Sequence, residues 1–251
     1  MLAVAAFFFV LAWGAGALEQ SKALRIGTEG DYFPFNYVDS GGRLQGFDID
    51  IANALCEQMQ RSCEFVTMDW QGLIPALIAG KFDAIVASLS ITEQRRQLVD
   101  FTDKYYTTPA RFVAANDAEL VLTPQGLTDT VLGAQRSTIH AEYLLAHYRD
   151  VATVRIYDTQ EDMYLDLYNG RLDAALADSL VLLEWLEGRG QGFRFVGEPL
   201  TDPEWFGEGV GIAVRKGETE LRERLNAALQ KILANGTYAR INAEYFPFSI
   251  Y

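Results

Sequence analysis

The chain has 251 residues, of which 49% are hydrophobic and 22% are charged, and its formal net charge is −13. This length suffices for one large domain or for two lobes of ordinary size. The excess of acidic residues argues against nucleic acid or an anionic membrane surface as the partner. Acidity alone does not identify a cationic ligand, since many soluble proteins are acidic.

An apolar run at residues 2–13 is followed by the small-residue pattern Ala15-Gly16-Ala17. A membrane-spanning helix needs about 20 apolar residues, so this run is too short to cross a bilayer. The pattern predicts an export signal at residues 1–17, cleaved after Ala17. No Lys or Arg precedes the run, which points to a misplaced start codon. A buried N-terminal helix is the alternative.

Strands and helices alternate along the rest of the chain. Predicted strands lie at 24–28, 65–68, 82–87, 131–135, 153–157 and 173–177, and predicted helices lie from about 48, at 72–79, at about 139–148 and at 218–234. Such alternation predicts an α/β fold with parallel strands.

The two cysteines lie close together in this pattern. Cys56 belongs to the helix that starts at about Asp48, and Cys63 opens the next strand. The even count and the short separation fit a local disulfide in an oxidising compartment, with two buried free thiols as the alternative. A chain with only two cysteines and two distant histidines is poorly equipped for a metal site, so none is expected.

Residues 77–88 resemble residues 167–178. In both segments a predicted helix ends at a glycine, a basic residue follows, and a strand begins near an aspartate. Glycine suits the left-handed cap that ends a helix. The repeat therefore predicts two similar α/β lobes, with a chance likeness of two helix-to-strand junctions as the alternative.

Polar side chains follow four of the predicted strands, at the ends where open α/β sheets bind ligands. They are Glu29, then Ser88 and Ser90 with Arg95 close behind, then Thr138 at a helix start, and Asp178. Each has a structural alternative. Ser90 with Glu93 matches a capping box, and Ser137 or Thr138, and Asp178, match helix caps.

The charges of these residues complement an amino acid with a cationic side chain. Arg95 contributes one positive charge, and Glu29 and Asp178 contribute two negative charges, so the sum is −1. A zwitterion with a cationic side chain carries +1. Buried charges are tolerated only when each is paired, so such a site would select against ligands that lack one of the charges. Glu29 is predicted to bind the side-chain cation.

The α-groups of the ligand are assigned to the remaining residues. Arg95, Ser90 and the Thr138 N–H are predicted to bind the α-carboxylate, because a guanidinium and a helix N-terminus both favour anions. Asp178 and Ser88 are predicted to bind the α-ammonium.

Two aromatic residues fit the same site. Tyr32 and Trp70 could stack on a guanidinium, an imidazole or an alkyl stem. For Trp70 a place in the hydrophobic core is the alternative.

Several segments carry a family resemblance. They are 24–35 (LRIGTEGDYFPF), 46–50 (GFDID), 88–92 (SLSIT), 100–106 (DFTDKYY) and 236–238 (GTY). From about Leu24 to Tyr251 the chain resembles the periplasmic polar-amino-acid-binding proteins of ABC transporters, solute-binding protein family 3, and within them the histidine and lysine/arginine/ornithine receptors.

The resemblance implies a two-lobed α/β fold of the type II periplasmic-binding-protein kind, with two crossover hinge strands. Lobe 1 would comprise 24–107 and 208–251, and lobe 2 would comprise 108–207. Family positions that contact ligand correspond to Glu29, Tyr32, Trp70, Ser88, Ser90, Arg95, Thr138 and Asp178. The family's short-loop disulfide corresponds to Cys56 and Cys63. The resemblance further implies a periplasmic monomer without a cofactor, whose closed, ligand-bound form is recognised by ABC permease subunits.

The chain departs from the two receptors at four positions. Glu29 replaces a shorter Asp, Ala87 stands where a hydroxyl is frequent, Ile139 stands where Gln is frequent, and Arg136 replaces a Gly. A longer acid with apolar neighbours suits a guanidinium or an extended alkyl chain. Arginine or ornithine is therefore favoured, lysine is possible within the same class, and histidine or an opine is the alternative.

An enzyme and a sensory domain are the two alternative functions. A branch that resembles this family dehydrates cyclic carboxylates such as arogenate, which requires a proton donor in the cleft. Glu29 is better explained by the ligand's charge, and His140 is expected to face solvent on its helix, so no enzyme activity is expected. A sensory domain is disfavoured because no apolar segment follows the lobes.

Overall fold

The computed structural model describes residues 23–251. The predicted export signal at residues 1–17 lies outside the described residues. The strands are β1 (Leu24–Thr28), β2 (Asp31–Tyr32), β3 (Asn36–Val38), β4 (Leu44–Gln45), β5 (Cys63–Thr67), β6 (Ala84–Ile85), β7 (Val99–Tyr106), β8 (Ala110–Ala115), β9 (Val131–Gln135), β10 (Thr153–Tyr157), β11 (Ala174–Asp178), β12 (Phe193–Leu200) and β13 (Val210–Arg215).

Helices cover the faces of the sheets. They are α1 (Phe47–Gln58), α2 (Leu73–Ile78), α3 (Glu93–Arg96), α4 (Ile139–His147), α5 (Gln160–Tyr168), α6 (Ser179–Gly188), α7 (Pro203–Phe206), α8 (Thr219–Ala234) and α9 (Thr237–Tyr245), with a 3₁₀ turn at Trp70–Gly72. Among the described helices, none is long and apolar enough to cross a membrane.

Two five-stranded sheets have the same internal plan. The first has the order β5-β1-β6-β13-β7 and the second has the order β10-β9-β11-β8-β12. In each, three parallel strands are followed by two that join antiparallel. A small sheet, β2-β3-β4, flanks the first. The predicted two-lobed α/β fold is confirmed, with one large sheet at the centre of each lobe.

The sequence repeat falls at equivalent places in the two lobes. Residues 77–88 lead from α2 into β6, and residues 167–178 lead from α5 into β11; each strand is the third in its sheet. Gly80 and Gly170 both have a positive φ, 73° and 66°, as predicted for helix-ending glycines. The repeat therefore marks the pair of central strands whose ends face the cleft.

The chain passes between the lobes twice. It leaves the first sheet after β7 to enter β8, and it returns after β12 to enter β13. Because the second passage brings β13 between β6 and β7, the first sheet is built from two separate stretches of chain. This confirms the predicted pair of crossovers.

Several element bounds differ from the prediction. β6 pairs only at Ala84–Ile85 rather than over 82–87, because Ser88 turns the backbone into the left-handed region with φ 55°. β5 starts at Cys63 rather than at 65, since its register pairs Cys63 with Leu24. β11 includes Asp178, which pairs with Ala110. These ends depend on pairing partners that a single sequence does not show.

The core of the first lobe is rich in aromatic rings. Phe35, Phe47, Tyr105 and Tyr106 are fully buried, and Phe35 stacks on Tyr106 with ring centroids 4.8 Å apart. The predicted disulfide joins Cys56 in α1 to Cys63 in β5, so the alternative of two free thiols is wrong.

Candidate functional site

One cleft between the lobes brings all eight predicted ligand residues together. Its lining residues are Glu29, Tyr32, Trp70, Ser88, Ser90, Arg95, Gln135, Thr138, Ile139, His140, Gln160 and Asp178. The residues predicted from their position after strands come from both lobes. They meet because the carboxyl ends of the parallel strands in the two sheets face each other across this cleft.

Arg95 is a buried cation without a carboxylate partner. Its residue is 9% exposed, and no Asp or Glu of residues 23–251 lies within ion-pair distance of it. Instead Nη1 donates to the Ser90 carbonyl at 3.0 Å and Nη2 donates to the Ser137 carbonyl at 3.3 Å. Burial lowers the pKa of Arg95 to about 10, so the group stays charged at neutral pH. A buried cation in this state is a receptor for an anion.

The helix that carries Arg95 is capped differently from the prediction. Thr92, not Ser90, is the N-cap, and its Oγ1 accepts the Arg95 N–H at 3.2 Å. The predicted capping box of Ser90 with Glu93 is therefore wrong, because α3 begins two residues later than that box requires. Ser90 instead forms a bridge with Val210 and its side chain lines the cleft.

Thr138 caps α4 and also lines the cleft. Its Oγ1 accepts the Ala141 N–H at 3.1 Å and donates to the Gln135 carbonyl at 2.7 Å. The capping alternative for its hydroxyl is thus correct. The predicted use of its backbone N–H for an anion remains compatible with this, since the start of a helix offers unpaired N–H groups.

Asp178 is a buried carboxylate at the end of β11. Although it precedes α6, its side chain makes no capping hydrogen bond, so the capping alternative is wrong here. Its Oδ2 accepts the Tyr32 hydroxyl at 2.5 Å. Burial raises the pKa of Asp178 to about 6, although the Tyr32 hydrogen bond and the charge of Arg95 oppose the rise. The carboxylate is held in place and still faces the cavity.

His140 was expected to face solvent, and this is wrong. The first turn of α4 faces the cleft, which buries His140 with its Nε2 3.7 Å from Asp178 Oδ1. Within the described chain this Nε2 has no hydrogen-bond partner. Burial, together with the charge of Arg95, lowers the pKa of His140 to about 3, so the ring is neutral at physiological pH.

Glu29 lines the same cleft as Arg95. Burial raises its pKa to about 7, and Gln135 Nε2 donates to its Oε1 at 2.7 Å. Sequence reasoning missed Gln135, although it is the last residue of β9 and so stands at the same kind of strand end as the other site residues. The amide occupies one carboxylate oxygen of Glu29 and leaves the other for a ligand.

Trp70 and Tyr32 form the aromatic part of the wall. Trp70 is half-buried: it packs against a core cluster and also lines the cleft, so both of its predicted roles apply. Its ring lies under the Arg95 guanidinium, 5.5 Å from the ring centroid, and its Nε1 donates to the Ser137 carbonyl at 3.0 Å.

Two of the departures from the receptor pattern lie outside the cleft. Ala87 is buried in the core cluster that also holds Phe82, and Arg136 is exposed and paired with Asp158. Of the two apolar neighbours proposed from the sequence, Ala87 and Ile139, only Ile139 lines the cleft. Over residues 23–251 no cluster of three or more His, Cys, Asp or Glu side chains is placed to hold a metal ion.

Two α/β lobes joined by two crossovers, with a charged cleft between them, define a type II periplasmic binding protein. The chain belongs to the bacterial extracellular solute-binding proteins, family 3, whose sequence profile matches residues 24–248.

Its relatives are binding proteins. An L-arginine-binding protein of Pseudomonas aeruginosa is 46% identical over 234 residues, covering 92% of this chain and 90% of the relative. The lysine/arginine/ornithine-binding periplasmic protein of Escherichia coli is 37% identical, covering 92% of this chain and 90% of the relative. A Salmonella typhimurium periplasmic binding protein described as highly arginine-specific has a solved structure with a TM-score of 0.83 and 34% identity, covering 90% of this chain and 100% of that one. The expectation of a binding protein rather than a dehydratase agrees with these relatives.

Proposed function

We propose that this protein binds a cationic L-amino acid, arginine before ornithine or lysine, in the cleft and delivers it to an ABC permease. The observation that carries the proposal is the buried Arg95 without an ion-pair partner, facing two carboxylates across the same cleft. One cation and two anions complement an α-carboxylate, an α-ammonium and a side-chain cation.

The α-carboxylate is proposed to bind at Arg95. Its guanidinium nitrogens bond only to backbone carbonyls, at Ser90 and Ser137, so the charge is not neutralised by the protein. The Ser90 hydroxyl and the Thr138 N–H complete this end. A carboxylate bound there would be paired with a charge in a dry site, where charge-assisted hydrogen bonds are strongest.

The α-ammonium is proposed to bind between Asp178 and Ser88. Asp178 has one oxygen engaged by Tyr32, and Ser88 uses its proton on another carboxylate, at 2.9 Å from Asp48 Oδ2. Both groups therefore present lone pairs to the cavity, which an ammonium can satisfy because it only donates.

The side-chain cation is proposed to bind at Glu29, along a wall made by Trp70 and Tyr32. Gln135 positions the carboxylate, and the apolar Ile139 offers no competing hydrogen bond. The length of Glu29, together with relatives that bind arginine and lysine/arginine/ornithine, favours an extended basic side chain over an imidazole.

The proposal includes a closing motion. Lobe 1 (24–107 and 208–251) and lobe 2 (108–207) would rotate about the two crossovers, so that a ligand touching both lobes favours the closed form by its differential contacts. We further propose that the protein is a periplasmic monomer, exported by residues 1–17 and recognised by the permease when closed; membership of the family supports this.

A binding screen with the purified protein tests the proposal. Calorimetry with arginine, ornithine, lysine, histidine and opines is expected to give the tightest binding for arginine. D178A removes the carboxylate for the ammonium and is expected to weaken arginine at least 100-fold, since a buried charge loses its partner.

The matched control is E244Q, which removes an exposed carboxylate on α9 and is expected to bind like the wild type. Unchanged affinity in D178A, or no binding of any basic amino acid by the wild type, would refute the site.

A further inference from the structure

Asp48 is a fully buried carboxylate beneath the cleft. It lies in the first turn of α1, its residue is 0% exposed, and it does not line the cavity itself. Three donors reach it: Tyr105 Oη at 2.7 Å to Oδ1, and Asn36 Nδ2 and Ser88 Oγ, each at 2.9 Å, to Oδ2.

No cation neutralises this carboxylate. In the described part of the chain, no Lys, Arg or His lies within ion-pair distance of Asp48. Burial raises its pKa to about 6, with the three hydrogen bonds opposing the rise. An ionised group in this position costs stability, and a neutral side chain could fill the space. Packing alone therefore does not explain a carboxylate at this position, and we infer that its charge has a role.

Ser88 connects Asp48 to the cleft. Its backbone has φ 55°, a strained conformation for a non-glycine residue, and this turn sets its side chain between Asp48 and the cavity wall. A hydroxyl has one proton, and Ser88 gives that proton to Asp48. Only the lone pairs of Ser88 Oγ remain for a ligand, and a charged acceptor polarises the hydroxyl and strengthens those lone pairs.

Asn36 connects Asp48 to the turn that carries Glu29. Its Nδ2 donates to Asp48, and its Oδ1 accepts the Gly30 N–H at 2.9 Å. Gly30 follows Glu29, so the same carboxylate also fixes the turn that carries Glu29. The amide of Asn36 cannot reverse without losing one of these two bonds, and Asp48 Oδ2 must therefore stay an acceptor.

We propose that Asp48 is a positioning residue that makes the cleft selective for an α-ammonium: its charge holds the Ser88 hydroxyl as an acceptor and polarises it toward the ligand. This inference rests on the proposed function, which assigns Ser88 to the ammonium. Asp48 touches no ligand and acts through Ser88.

The test compares L-arginine with 5-guanidinopentanoate, which is arginine without its α-amino group. D48N is nearly isosteric, and its amide nitrogen can replace Oδ1 and donate to the Tyr105 oxygen, so the contact of Oδ2 with Ser88 is preserved while the charge is lost. We expect D48N to weaken arginine about 5- to 20-fold, the difference between a charged and a neutral acceptor, and 5-guanidinopentanoate less than about twofold.

Two further variants show whether Ser88 carries the effect. In an S88A background, D48N is expected to change arginine affinity less than about twofold, because the linking hydroxyl is gone. Y238F is the matched control: it removes a buried tyrosine hydroxyl of the same lobe that donates to the Tyr105 carbonyl and not to Asp48, and arginine affinity is expected to stay within about twofold of the wild type.

A measurement on the wild type covers the case in which D48N fails to fold. The carboxyl ¹³C resonance of Asp48 reports its protonation, and arginine is expected to lower its pKa more than 5-guanidinopentanoate does. Asp178, Tyr105, Tyr106 and Tyr238 are the titratable groups whose charges couple to Asp48, so their resonances are followed in the same titration.

The outcomes separate this inference from the proposed function. Equal weakening of both ligands by D48N, additive losses in the S88A background, or an equal pKa response to both ligands would overturn the role of Asp48 alone. Failure of the wild type to bind arginine, or wild-type affinity in S88A, would overturn the ammonium assignment and the inference with it.

Discussion

Arg95 and Glu29 line the same cleft and are held by different hydrogen-bond partners. Arg95 is fixed by backbone carbonyls and stays charged, whereas Glu29 is fixed by one amide and has a pKa of about 7. Arg95 is therefore fully charged near neutral pH, whereas Glu29, the proposed partner of the side-chain cation, is only partly ionised before a ligand binds.

This difference predicts a pH dependence of arginine binding. A bound cation lowers the pKa of Glu29, so binding releases a proton, and affinity rises with pH until it levels off above about pH 7. From pH 8 to pH 6 the affinity of the wild type is expected to fall about 20-fold, because the ionised fraction falls about tenfold for Glu29 and about twofold for Asp178.

E29Q is expected to show about a twofold change over the same range, which Asp178 accounts for through its pKa of about 6. Calorimetry in two buffers of different ionisation enthalpy measures the released proton directly. A wild-type affinity that is flat between pH 8 and pH 6 would contradict the assignment of Glu29.

Most of the site residues that follow strands could be predicted from the sequence, whereas the buried residues in the first turns of α1 and α4 could not. Glu29, Ser88 and Asp178 follow recognisable strands, and their position alone places them at the cleft. His140 and Asp48 lie in first turns of helices, where the buried side depends on how each helix packs. A single sequence contains no signal for that packing.

At the scale of elements, the alternation of strands and helices was enough to predict the α/β class, because hydrophobic periodicity is a local signal. The two lobes followed from the internal repeat, and the two crossovers from the family resemblance. The exact ends were set by partners distant in sequence. The bond from the Val131 N–H to Asp173 Oδ2 shows this: Asp173 was predicted to open a strand, but its side chain instead serves the neighbouring strand. Pairing register is a tertiary property, and it moved the strand by one residue.

The disulfide gives a prediction at this scale. It closes a short loop between the end of α1 and the start of β5, and the loop-entropy model gives about 2–3 kcal/mol for such a bridge. The double variant Cys56→Ser with Cys63→Ser is expected to lose about this much free energy of unfolding in urea titrations.

Arginine affinity should stay within about twofold in the double variant, since the cleft lies beyond the opposite end of β5. Wild-type protein under reducing conditions serves as the control. An unchanged free energy of unfolding would show that the bridge does not constrain the unfolded chain.

For the whole molecule, several hydrogen bonds join the two lobes. Tyr32 bonds to Asp178, Gln135 bonds to Glu29, and the Ser137 carbonyl accepts from two donors of the other lobe. Ser137 has φ 59°, so a strained backbone turn presents this carbonyl. In the proposed closing motion, these contacts would stabilise the closed form.

W70F tests how much one such contact contributes. It keeps an aromatic ring but removes the Nε1–H that donates to Ser137, a bond worth roughly 0.5–1.5 kcal/mol. Small-angle scattering of the ligand-free variant is expected to show a larger radius of gyration, and arginine is expected to dissociate about 2- to 10-fold faster.

The matched control is W205F, which removes the indole N–H of a tryptophan whose ring packs against Tyr143 and His147 within one lobe. It should match the wild type in both measurements. Identical scattering and dissociation for W70F and the wild type would show that this contact does not stabilise closure.

The bond between Tyr32 and Asp178 has a kinetic consequence. Tyr32 belongs to lobe 1 and Asp178 to lobe 2, so this bond must break whenever the lobes separate. In the proposed closing motion a ligand enters while the lobes are apart, and the rate of capture then scales with the open fraction rather than with the quality of the finished site. The same hydroxyl that orients the carboxylate for binding would thereby lower the fraction of receptors that are open to a ligand.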